Sequence, residues 1–204
     1  MAQWLYQWAQ DQRERLQADE LFSIRAQLAR ACLQAGRYDQ ARELFQQCYE
    51  EDAARSPNRE ASHGPTLLGL AESHYRLAQQ AAAAGQYEPA RKAFSTASQQ
   101  FMVIWRRAER GTPLWWQALL RALEVPVELR EMVVAQLEHA RRSRDLSAEE
   151  RKQLGDLPAA LARVEQTIRA ERVTHPDLGG QGAAFSRLLN RVNQLRQRVE
   201  RLTR

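Results

Sequence analysis

The sequence predicts an all-α chain, and three observations carry that expectation. Ala, Leu, Gln, Glu and Arg dominate the composition, and these residues lose least on entering a helix. Apolar residues recur at three- and four-residue spacing, the period of a helix face. No segment sustains the two-residue alternation of a half-buried strand. The 204 residues are 44% hydrophobic and 27% charged, with only nine Gly and seven Pro, a globular composition. No apolar run approaches the ~20 residues of a membrane span, and the first ten residues carry no basic stretch. Neither a membrane span nor a secretory precursor is expected, so the expected location is cytoplasmic. Two cysteines, Cys32 and Cys48, are too few for a disulfide framework or a Cys-rich zinc site.

Taken in order, the first 17 residues form an aromatic helical extension in which Trp4, Tyr6 and Trp8 fall within five residues. They are expected to cover the apolar edge of the first helix pair, docking to a partner being the alternative. Breaks are then read at Gly36, Ser56-Pro57-Asn58, His63-Gly64-Pro65, Gly85, Gly111-Thr112-Pro113, Pro126, Gly155 to Pro158, and Pro176 to Gly180. They divide the chain into about eight or nine helices. Thr112 can cap a helix that has Pro113 in its first position. Ser147 and Glu150 have the spacing of a capping box.

One pattern occurs twice. Gly36, Tyr38, Ala41, Arg42 and Phe45 match Gly85, Tyr87, Ala90, Arg91 and Phe94 in register, with Cys48 and Ala97 one turn further. Each glycine ends a helix where a left-handed residue is needed. Each Tyr opens the return helix and can pack back across the turn. Each Ala lets two helices approach closely, and each Phe fills the space between helix pairs.

At these residues the sequence resembles the tetratricopeptide repeat family, bacterial type. It departs from that family where Arg25 and His74 occupy the position of a Trp, and Cys32 and Ala81 that of a Tyr. The closing Pro is absent, and the glycines lie 49 residues apart rather than about 34. A third, degenerate unit is read from Leu114 to Leu120 and from Leu161 through Ile168 to the Pro176-Asp177-Leu178-Gly179-Gly180 turn. The resemblance implies a short right-handed solenoid of antiparallel helix pairs over 18–180, with units near 18–54, 65–109 and 113–180. Residues 181–204 would be a basic capping or coiled-coil-like helix. It further implies a concave face lined by Ser23, Ala26, Arg30 and Leu33, then by Glu72, Tyr75, Gln79 and Ala82. Of these, Arg30, Leu33, Tyr75 and Gln79 are the candidate partner-binding residues, supplying a guanidinium fork, apolar surface, an amphipathic ring and an amide.

Catalytic patterns are missing from the sequence. His63, His74, His139 and His175 show no paired spacing, and Gly179 to Gly182 lacks the Lys-Ser/Thr of a phosphate loop. No enzyme, cofactor or metal is expected, and Cys32 and Cys48 read as buried, inert thiols rather than a redox pair.

The net charge of +5 is confined to the last 22 residues, which hold six Arg against Glu200; residues 1–182 balance. Only two of thirty basic residues are Lys, which reads as codon bias of a GC-rich genome. Phe185, Leu188, Val192, Leu195, Val199 and Leu202 make an a/d seam. A parallel homodimer would oppose Arg191 with Arg196, so packing within one chain is favoured, the monomer is expected, and a dimer is the alternative. Arg187, Arg191 and Arg198 would then leave a basic outer face for an acidic partner. The expected function is a non-enzymatic scaffold that binds a partner peptide or helix. The alternative is an assembly factor whose basic helix meets nucleic acid or an anionic surface, although a charge-balanced body argues against nucleic acid.

Overall fold

The computed structural model describes residues 18–55 and 64–203; the aromatic segment with Trp4, Tyr6 and Trp8, and the break at Ser56-Pro57-Asn58, lie outside them. Among the described residues there are seven helices and no strand: α1 (Ala18–Gln34), α2 (Tyr38–Arg55), α3 (Gly64–Ala83), α4 (Tyr87–Arg107), α5 (Pro113–Arg141), α6 (Ala148–Thr174) and α7 (Gly182–Thr203). The chain divides into two compact units, one ending at Glu109 and the other beginning at Arg110.

In the first unit, the repeated sequence gives repeated geometry. Gly36 and Gly85 take left-handed φ values of 75° and 72°. The Arg37 N–H donates to the Cys32 carbonyl and the Gly36 N–H to that of Leu33; Gln86 with Ala81 and Gly85 with Ala82 repeat both bonds. The two hydrogen bonds at each turn satisfy orphan carbonyls in the last turn of α1 and of α3, and only Gly takes the required φ without strain. Ala41 and Ala90 are fully buried, as are Cys48 and Ala97, and Phe45 and Phe94 are 2% and 1% exposed. Tyr38 leans back toward Gly36, its hydroxyl 3.9 Å from where a Cβ would stand. Tyr87 does not do the same: a Cβ at Gly85 would meet nothing within 4 Å, and Tyr87 stays 46% exposed. Each helix of the unit packs on the next, and α1 also touches α3. Phe45 of α2 lies over Gly69 of α3, so closely that a Cβ at Gly69 would come within 2.3 Å of the ring.

In the second unit, α5, α6 and α7 each pack on the other two. Thr112 caps α5 by accepting from the Trp115 N–H at 3.3 Å. Ser147 and Glu150 close their reciprocal box at the start of α6. The breaks expected at Pro126 and Pro158 are absent, since both prolines sit inside helices. An internal proline costs about 3 kcal/mol, and here tertiary burial offsets it. Val125 and Val127 are fully buried on either side of Pro126, while Leu154, Leu157 and Leu161 fix the inner face of α6 and leave the Pro158 ring outside.

The turn after α6 does form. Leu178, Gly179 and Gly180 have φ of 50°, 63° and 76° in succession. Burial of the Leu178 side chain holds that non-glycine residue there. Asp177 accepts from the Gly179 N–H at 3.3 Å. The Trp116 ring covers Gly179 and packs edge-on against His175 and Phe185.

Candidate functional site

The residues expected to line a groove separate into two groups. Arg30 and Ser23 are exposed, and Leu33 is half-buried. Gln79 is half-buried and accepts from the Arg76 guanidinium at 2.9 Å. Tyr75 is not available as a groove ring. It is 2% exposed and lies against Phe94, with ring centroids 6.1 Å apart. The reason is helical phase: Ala71 and Ala78, one turn to either side, are both fully buried, so Tyr75 belongs to the core stripe of α3. Ala26 and Glu72, at 8% exposure each, are likewise withdrawn from the surface.

Arg25 and His74 stand where the resembled family has a Trp, and they differ in surroundings. Arg25 forms a close ion pair with Glu51 of α2. His74 is half-buried, and burial together with the Arg42 charge holds its pKa below the ordinary histidine value. Both cysteines are free and buried. Burial pushes the Cys48 thiol up to about 11, which leaves almost no thiolate at neutral pH. In the native protein neither thiol is expected to react with an aromatic disulfide reagent within minutes, and both should react at once in denaturant. A rapid stoichiometric burst from the folded protein would contradict this burial.

The C-terminal helix packs within its own unit, the arrangement expected from its flanking arginines. Phe185, Leu188, Val192, Leu195 and Val199 are all buried. The expected free basic face is reduced, because α5 meets two of its three arginines, Arg191 and Arg198, with carboxylates. Arg191 makes a fork to both oxygens of Glu131, at 3.0 and 2.7 Å, and reaches Glu124 at 3.2 Å. Arg198 makes the same fork to Glu138. Arg196 bonds Glu165 of α6 at 2.9 Å. Two-point pairing of this kind is the strong form of the interaction. The hydrogen bond from Arg198 holds the Glu138 carboxyl below the usual range, and that from Arg196 does so for Glu165. Arg187 remains exposed. Sequence reasoning missed these acids, yet a signal was present: Glu131 and Glu138 are seven apart, as are Arg191 and Arg198. Both pairs span 60 residues, so α5 and α7 run in the same direction with matched heptads.

Among the described residues no group of three His, Cys, Asp or Glu side chains could hold a metal ion, and no helix is long and apolar enough to cross a membrane. Compared with family models, curated proteins and solved structures, the chain matches none.

Proposed function

We propose that the chain is a tetratricopeptide-like adaptor, a non-enzymatic scaffold whose first unit holds a partner peptide or helix. The observation that carries this reading is the repetition of one device at Gly36 and Gly85: the same pair of turn hydrogen bonds, then the same buried Ala and Phe. Antiparallel pairing of α1 with α2 is supported at both ends. Asp19 near the start of α1 pairs with Arg55 at the end of α2 at 2.7 Å, while Cys32 and Gln40 meet beside the turn at 3.9 Å. The contact of α1 with α3 fits first helices that stand side by side, as stacking of units into a solenoid requires.

The accessible candidates on those first helices are Arg30, Leu33 and Gln79; Tyr75 supports them from the core. A photo-crosslinking residue placed at Arg30 should trap one discrete protein in native extract, and the same residue at exposed Lys92 of α4 should not. Identical products from the two positions would defeat the groove reading. The alternative, a basic helix open to nucleic acid or an anionic surface, loses support because Arg191 and Arg198 are already held by Glu131 and Glu138.

A further inference from the structure

We propose that the adjoining ends of α5 and α7 form a binding site for a compact polyvalent phosphate anion of the pyrophosphate type. A hollow of about 390 Å³ lies there, lined by Glu138, Arg141, Arg142, Arg198, Arg201 and Leu202. Four guanidiniums thus face one carboxylate, and that carboxylate is already occupied. Both of its oxygens accept from Arg198, at 3.0 and 2.7 Å. Arg141 donates to the Arg201 and Leu202 carbonyls and so caps the last turn of α7. These two arginines are structural, and they hold the walls in place.

Arg142 and Arg201 are different. Both are exposed, and among the described residues neither makes an ion pair with an acidic side chain. Arg201 uses its Nε on the Gln197 carbonyl, which leaves its terminal nitrogens for another acceptor. Two guanidinium groups without an acidic partner therefore line one open depression, beside Arg141 and Arg198.

Guanidinium forks match phosphate oxygens two at a time, and a compact anion with several oxygens can accept from both arginines at once. The lining holds no aromatic ring on which a base could stack, so a nucleic-acid strand is disfavoured. The depression is open, and its lining is six residues at the ends of two helices, a footprint of the size of a small anion rather than of an extended acidic peptide. The site is independent of the adaptor reading, since none of its residues belongs to the first unit.

Calorimetric titration of the full chain with sodium pyrophosphate, at a fixed ionic strength near 0.15 M, tests the assignment. One binding event is expected, tighter than that of orthophosphate. Affinity should fall at least tenfold in the double variant Arg142→Ala/Arg201→Ala, whose sites are exposed and whose thermal unfolding should match the parent. Arg187→Ala, outside the hollow, should leave affinity unchanged. The proposal is overturned by no heat with the parent protein, or by equal affinity in the double variant. It is also overturned if an oligo-glutamate peptide binds where pyrophosphate does not.

Discussion

Gly179→Ala should destabilise the second unit by about 2–5 kcal/mol, lowering its Tm by roughly 10 °C or more. Two effects add. At φ 63° a Cβ is disfavoured by roughly 1–2 kcal/mol wherever it points. Here it also points into the Trp116 ring, with its three nearest atoms at 2.2 to 2.4 Å. That ring cannot swing away freely, since it is 3% exposed and meets Trp115, His175 and Phe185. Gly180 separates the two effects. Its φ of 76° is equally left-handed, but a Cβ there meets nothing within 4 Å. Gly180→Ala should therefore show only the backbone part, about 1–2 kcal/mol. Urea unfolding of the two variants checks the difference; equal losses would mean that Trp116 does not lie on Gly179.

Phe94→Ala should cost the first unit about 3–5 kcal/mol. The ring is 1% exposed, sits between α3 and α4, and shares a tilted aromatic contact with Tyr75. Truncation removes its apolar transfer energy and leaves a cavity beside the Tyr75 ring. Phe94→Leu keeps most of the volume and should lose clearly less, under about 1.5 kcal/mol. Denaturant midpoints at constant m-value would measure both. A loss below about 1 kcal/mol for the alanine variant would place Phe94 outside the core.

What the sequence made legible was local or periodic. The glycine turns at Gly36 and Gly85, the caps at Thr112 and Ser147, and the seam of the last helix each depend on residues within a turn or two. Side-chain chemistry at short range decides them. Pro126 and Pro158 were misread because their local preference for a break is outweighed by leucines and valines buried against other helices. Tyr75 was misplaced for a related reason. Its groove position follows from the register of the resembled family, whereas burial of Ala71 and Ala78 puts Tyr75 on the core stripe of α3. The arginines of the last helix were read as a free face because charge was tallied along the chain, whereas the matching acids lie 60 residues earlier on a parallel helix. Heptad spacing of opposite charges in two segments was the signal that would have joined them.

Phe45 of α2 lies against Gly69 of α3, and a double-mutant cycle on these two residues tests the proposed stacking of helix pairs most directly. With Phe45 in place, Gly69→Ala should destabilise the unit by about 1–3 kcal/mol, because the new methyl meets the ring. In a Phe45→Ala background the methyl enters vacated space and the helix gains roughly 1 kcal/mol from losing a glycine, so the same change should turn neutral or stabilising. An effect of equal sign and size in both backgrounds would show that the two side chains do not meet, and that the helix pairs are not stacked as repeats.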